Sequence, residues 1–293
     1  MKLSVFTVAT PDFTPEELVK AASSAGLEGI EWRYKGIPEH AIAESPSFWG
    51  RNLASIDPAG TLEDITAIRN LTEKEGLTSI ALVPYLSATD LVSTEQAFEA
   101  ARALGATMMR VGVPSYNRTE NYNELFKTGI SYLSEVQEMS RTYGVKAIVE
   151  THHVTIAPSA SLAYRLVSTF DPNHIGVLYD PGNMVHEGYE NYRMGLELLG
   201  PYLAHVHVKN AVWTQKPGTD VVDGLEEIQY GCKWSPLLDG VVPWSQVLQD
   251  LVSVGYEGYL GIEDFSQSLS SAEMLKHFSH SMRTLLGELR TEV

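Results

Sequence analysis

Short runs of apolar, β-branched residues alternate along this chain with longer stretches whose apolar positions recur at helical spacing. The runs predict strands at 3–8, 28–33, 78–83, 107–112, 145–150, 174–179, 203–208 and 259–263, with helices filling the intervals. Thr14-Pro15-Glu16-Glu17 supplies an N-cap, a proline at the first helical position and a negative first turn, and Ser93-Thr94-Glu95 opens another helix. Gly26, Gly76, Gly105, Gly144 and Gly255 each close a helical stretch shortly before a strand, where a left-handed C-cap is wanted. Eight strand–helix units predict an α/β architecture, the closed (β/α)8 TIM barrel, as a single domain over residues 1–293. The competing open, doubly wound sheet lacks support, because no G-x-G-x-x-G follows the first strand.

Two segments outlast the alternation, 34–62 and 210–243, and both follow a predicted strand. Loops after barrel strands form the catalytic rim, so these are expected to be extended loops after strands 2 and 7 that shape a pocket. Trp32, Arg33 and Tyr34 stand at the start of the first, and Trp213 and Trp234 lie in the second. Aromatic faces suit the C–H side of a sugar, which makes Trp32, Arg33, Trp213 and Trp234 candidate substrate-binding residues; packing between loop and rim is the plainer alternative. At 293 residues and 44% hydrophobic, the chain can bury one large core. A net charge of −16 works against a nucleic-acid partner, whose phosphates are held chiefly by Lys and Arg. The lone Cys232 forms no intrachain disulfide, the opening MKLSVFTVATPDF lacks a secretory pattern, and no apolar run spans a bilayer. A cytoplasmic protein without a membrane partner is the expectation.

Four ionisable residues stand at the ends of strand-like runs in the second half: Glu150 after VKAIV, Asp180 after HIGVLY, His207 within LAHVHVKN and Glu263 after YLGI. A barrel delivers all its strand C-termini to one rim, so the four would converge. Period-two parity places His205, His207 and Lys209 on one face of their strand and Val206 and Val208 on the other, with the histidines inward. Glu150 and Glu263 are compatible with inward ends, whereas the direction of Asp180 is less constrained by the sequence. Three carboxylates brought together raise one another's pKa values unless a cation intervenes. One divalent ion resolves the conflict, and an oxygen-rich set with one imidazole favours Mn²⁺, with Mg²⁺, Co²⁺ or Zn²⁺ as alternatives. Arg110, within MMRVGVP, is expected inside the barrel as the charge partner of a carboxylate such as Glu31.

The segments IVETHH at 148–153, LYDPGN at 178–183, HVHVKN at 205–210 and GYEGYLGIEDF at 255–265 make the chain resemble, over nearly its whole length, the xylose-isomerase-like barrel superfamily. That superfamily comprises sugar isomerases and epimerases and includes endonuclease IV-type repair enzymes. The resemblance implies that Glu150, Asp180, His207 and Glu263 are the metal ligands. Asn210 stands where many relatives carry aspartate, and Asn183 where ketose epimerases commonly carry a histidine; His186 lies three residues further on.

The chemistry expected of such a site is proton transfer through a metal-stabilised enediolate. Glu150 and Glu263 are the candidates to remove and return the proton, His152 is a further acid or base, and His186 and Lys209 are candidates to orient substrate oxygens. The leading expectation is an isomerase or epimerase of a small carbohydrate, cyclitol or related polyol ketone. The alternative is a dehydratase or eliminase of the inosose dehydratase, dehydroshikimate dehydratase or C-glycoside-cleaving type. A DNA-repair phosphodiesterase is disfavoured by the acidic charge, and a noncatalytic sugar-binding barrel would have lost its ligand set. Related barrels often form dimers or tetramers, so a homo-oligomer is compatible with the resemblance, although no surface segment reads as an interface.

Overall fold

A computed structural model describes residues 1–218, 220–222 and 225–291. Eight parallel strands close into a barrel: β1 (Lys2–Phe6), β2 (Gly29–Tyr34), β3 (Thr78–Pro84), β4 (Met108–Arg110), β5 (Lys146–Glu150), β6 (Ile175–Tyr179), β7 (Leu203–Val208) and, after four strands outside the barrel, β12 (Tyr259–Ile262). Their order around the barrel is β1-β12-β7-β6-β5-β4-β3-β2. Each expected strand is present; the fourth is only three residues long because the chain leaves the sheet at Val111 and Gly112. The helices are α1 (Pro15–Ser24), α2 (Leu62–Lys74), α3 (Leu91–Leu104), α4 (Tyr122–Tyr143), α5 (Ala160–Val167), α6 (Pro181–Glu187), α7 (Tyr192–Leu199), α8 (Trp244–Ser253) and α9 (Ser271–Thr291). No helix among the described residues is long and apolar enough to cross a membrane.

Local chemistry explains the boundaries. Thr14 and Glu17 form a reciprocal capping box at α1. The α3 helix starts two residues before the Ser93-Thr94-Glu95 signal, because the Asp90 carboxylate caps it by accepting from Ser93 N at 3.0 Å. The five helix-ending glycines all take φ between +68° and +78°, a region costly for any residue with a Cβ.

The two long segments differ in kind. The first holds one 3-10 turn, Glu39–Ala41, and touches the barrel through a bridge between Tyr34 and Ile56. The second is not an open loop. Strands β8 (Asn210–Gln215) and β11 (Tyr230–Ser235) pair antiparallel, and β9 (Asp220–Val222) pairs with β10 (Leu225–Glu227). Asn210 pins the root of this ribbon: its Nδ2 donates to Leu237 O (2.8 Å) and Val242 O (3.0 Å), while its Oδ1 accepts from Ala211 N and Val242 N, both at 2.9 Å. An aspartate there would lack both donations.

Strand parity sorts side chains between the helix layer and the interior. Leu3, Val5, Ile30, Trp32, Val206 and Val208 join the main core under the helices. Glu31, Arg33, His205 and His207 alternate with them and are also wholly buried. Trp32 is therefore corrected from a substrate-facing residue to a core residue; its Nε1 donates to Ser79 Oγ at 3.1 Å.

Candidate metal centre and cavity

Glu150 ends β5, Asp180 follows β6, His207 is near the end of β7, and Glu263 follows β12. These four strands are consecutive around the barrel, and one ligand atom from each residue lies within 4.8 Å of all the others. His207 Nδ1 is central: it stands 3.5 Å from Glu150 Oε1, 3.5 Å from Asp180 Oδ2 and 3.7 Å from Glu263 Oε2.

Each member is held by a neighbour. Asp180 N-caps α6, its Oδ1 accepting from Asn183 N at 2.8 Å, which aims Oδ2 at the cluster. Glu150 Oε2 accepts from Arg110 Nη1 at 2.7 Å and its Oε1 from Asn183 Nδ2 at 3.2 Å. The expected Arg110–Glu31 pair is thus replaced by Arg110–Glu150, since β4 and β5 are neighbours and Glu150 lies just beyond the Arg110–Ile148 register pair. Glu31 serves the histidines instead, with Oε1 2.7 Å from His205 Nε2 and Oε2 2.9 Å from His207 Nε2. Because a carboxylate accepts, Nε2 of His207 carries the proton and Nδ1 presents its lone pair to the cluster. That Nδ1 is buried without a hydrogen-bond partner, as expected of a metal ligand.

Burial would lower the His207 imidazole, but Glu31, Asp180 and Glu150 outweigh it and push its pKa well up. Burial by itself would raise the Glu31 carboxyl, but the two imidazoles outweigh it and hold it well below the usual range. Burial likewise opposes ionisation of Glu150 and Asp180, yet Arg110 and Lys209 respectively pull them down. For Glu263 burial dominates and pushes the carboxyl up. The Lys209 ammonium lies 2.9 Å from Asp180 Oδ2, bonds Glu263, and sits over the rings of Trp234 (4.8 Å) and Phe265 (5.2 Å). Despite burial, the surrounding carboxylates raise its pKa. Of the inner carboxylates, Glu150 pairs with Arg110, Asp180 and Glu263 share Lys209, and Glu31 lies between the two imidazoles. The donor set and the unpartnered Nδ1 of His207 fit a divalent ion.

The cluster opens on a cavity of about 610 Å³ lined by, among others, Glu150, Glu263, His152, Asn183, Lys209, Trp234, Tyr85 and Lys35. His152 Nδ1 lies 2.6 Å from His153 O, so Nδ1 carries the proton and Nε2 is the basic nitrogen. His186 does not line this cavity; it stacks behind His153 with ring centres 4.1 Å apart and touches Trp234 at 4.8 Å. Trp213 is 47% exposed and hydrogen-bonds Val185 O at 2.9 Å. It is a residue of the ribbon's outer face and not of the cavity, correcting the expectation from its position in the chain. Arg33 is buried under Tyr85, with 5.4 Å from its guanidinium to the ring centre. Sequence reasoning missed Glu31 as the brace of His205 and His207; the signal was its shared parity with Arg33 on β2. It also missed Asn183 as a ligand-orienting amide, and Lys35, Tyr85 and Phe265 as cavity lining.

The fold and site define a (β/α)8 barrel with a buried carboxylate–imidazole metal site at the C-terminal rim. Residues 19–285 match the family model of the xylose isomerase-like TIM barrel, and the chain belongs to that family. It is 25% identical over 139 residues to an inosose dehydratase of Geobacillus thermodenitrificans, a match covering 46% of this chain and 45% of that protein. The chain thus spans about half the length of the curated relatives it matches. Among solved structures it superposes on the IOLI protein with a bound zinc atom, with TM-score 0.72, 16% identity and coverage of 98% of this chain and 99% of that one. It superposes equally on an L-ribulose 3-epimerase, with TM-score 0.72, 14% identity and coverage of 99% and 96%. At these identities the two structures speak for the fold.

Proposed function

We propose that the protein is a divalent-metal-dependent isomerase or epimerase of a small sugar or polyol ketone, moving a proton at the carbon beside the carbonyl. One observation carries this reading: of the four cluster residues, Glu150 and Glu263 line the cavity, from the two ends of the four-strand arc, while Asp180 and His207 lie behind them. Two carboxylates reaching one substrate from different strands are what removal and return of a carbon-bound proton require. Glu150, Asp180, His207 and Glu263 would hold the metal, with Mn²⁺ the best match to their oxygen-rich set. When bound, the ion supplies positive charge that stabilises the oxygen on which negative charge develops. Lys209, Asn183 and His152 offer polar groups to substrate oxygens, and Trp234 and Phe265 give apolar faces to its C–H side.

A dehydratase is the second reading, favoured by His152: its Nε2 is the basic nitrogen beside Glu150 and, once protonated, suits protonation of a departing hydroxyl. The partial similarity to inosose dehydratase supports the same reading. Incubating protein loaded with Mn²⁺, Co²⁺, Mg²⁺ or Zn²⁺ with ketoses and keto-inositols in deuterated water separates them. Carbon-bound deuterium in recovered sugar supports isomerisation or epimerisation, and a new ultraviolet-absorbing enone supports elimination. Glu150→Gln and Glu263→Gln should each slow exchange by about 10²–10⁴-fold. Sugar binding without exchange or elimination under any metal would sink both readings and leave a binding barrel.

A further inference from the structure

The cations inside the barrel are paired with carboxylates, with one exception. Arg110 bonds Glu150, and Lys209 bonds Glu263 and Asp180. Arg33 and Lys35, on and just past β2, stand together without an anion. Arg33 is wholly buried; its Nη1 donates to Ser55 Oγ at 2.6 Å, and its Nε and Nη2 have no hydrogen-bond partner. Lys35 lines the cavity with its ammonium 4.9 Å from the centre of the Tyr85 ring. Burial, reinforced by the Arg33 charge, pushes its pKa down. Among the described residues no carboxylate forms an ion pair with either. Acids are not scarce, since the chain carries 37 Asp and Glu against 21 Lys and Arg. Two adjacent, partly desolvated cations oppose folding unless an anion meets them.

Their position says which anion. In the barrel order, β2 lies four strands from β6 in either direction, so Lys35 and Arg33 rise from the wall opposite Asp180. A molecule lying across the cavity with its carbonyl end at Glu150 and Glu263 points its other end at Lys35.

We propose that Lys35, backed by Arg33, is a subsite for an anionic oxygen group of the substrate, a carboxylate or a phosphate monoester remote from the reacting carbon. The inference rests on the cavity being the sugar-ketone site proposed above and names that substrate's class as acidic. Lys35 meets the anion, and Arg33 is a positioning residue whose buried charge deepens the potential.

The test titrates the Mn²⁺-loaded protein with three matched probes, fructose, fructuronate and fructose 6-phosphate, following tryptophan fluorescence, to which Trp49 and Trp234 of the cavity lining contribute. At least one anionic probe should bind about tenfold or more tighter than fructose, a preference that falls as KCl rises. Which probe gains distinguishes carboxylate from phosphate. Lys35→Met should erase the preference, and Lys35→Arg should restore much of it; both act at a part-exposed side chain, so the test does not depend on an Arg33 variant that fails to fold. Equal binding of all three probes, no binding of either anion, or a Lys35→Met protein that keeps the preference would each overturn the subsite. Deuterium exchange is read in parallel. Exchange without anion preference removes the subsite and keeps the proposed chemistry, whereas Lys35-dependent anion binding without exchange keeps the subsite and removes the chemistry.

Discussion

Glu31→Gln probes the least conspicuous part of the metal centre. Glu31 is wholly buried and does not line the cavity, yet its two oxygens lie 2.7 Å and 2.9 Å from His205 and His207. Glutamine keeps the shape but removes the charge, and its amide can offer an acceptor to only one imidazole. If the oxygen turns to His205, the amide hydrogens face His207 Nε2 and favour the tautomer whose Nδ1–H points at the cluster. If it turns to His207, the bond survives without its ionic part. Outer partners of metal-binding histidines are typically worth 10–100-fold in affinity, so the variant should lose ~1.4–2.8 kcal/mol of Mn²⁺ or Zn²⁺ binding. Competition with a chromophoric chelator measures this, and urea unfolding reports the accompanying stability change. The latter should be smaller than for a broken ion pair, because the cost of burying the carboxylate also disappears. A folded variant that holds metal as tightly as the parent would refute the assignment of Glu31 as the brace of a metal ligand.

Two further changes test the scaffold around the site. At Gly261 an added Cβ would press into Glu31 Oε1 and come within 3.1 Å of His205 Nε2; Gly261→Ala should cost about 1–3 kcal/mol in urea unfolding and weaken metal binding with it. Asn210→Asp removes the two donations to Leu237 O and Val242 O and sets a carboxylate against those carbonyls. It should destabilise by roughly 2–4 kcal/mol, with the Trp234 fluorescence changing as the ribbon root loosens.

The scaffold was legible because its signals are local and periodic. Buried strands announce themselves as β-branched runs, the glycine stops require a left-handed backbone, and parity alone put His205 and His207 inside. The four cluster residues were readable because barrel closure carries every strand end to one rim. What was not readable depended on pairings between distant strands. Arg110 had two carboxylates within the reach of any plausible register, and only the β4–β5 pairing selects Glu150. The direction of Asp180 followed from its N-cap bond to Asn183, a role that Asp-Pro-Gly-Asn spells out but strand parity does not. Trp32 was misplaced by position along the chain, although the parity rule applied to the histidines would have sent it to the helix layer. The outward side of Trp213 depends on how the β8–β11 ribbon folds back, which no short-range pattern sets.

Glu31 has a mechanical meaning besides its chemical one. It grows from β2 and grips β7, which is three strands away around the barrel, so the contact runs through the interior and not along the sheet. A chain divided between β4 and β5 would leave the carboxylate in one fragment and both imidazoles in the other. Each half-barrel would then enclose an ionisable group that only the other half can satisfy. Neither fragment should persist as an independent folding unit, and the two should recover native structure when they meet, with the cross-barrel tie acting as the clasp that makes closure a single cooperative event.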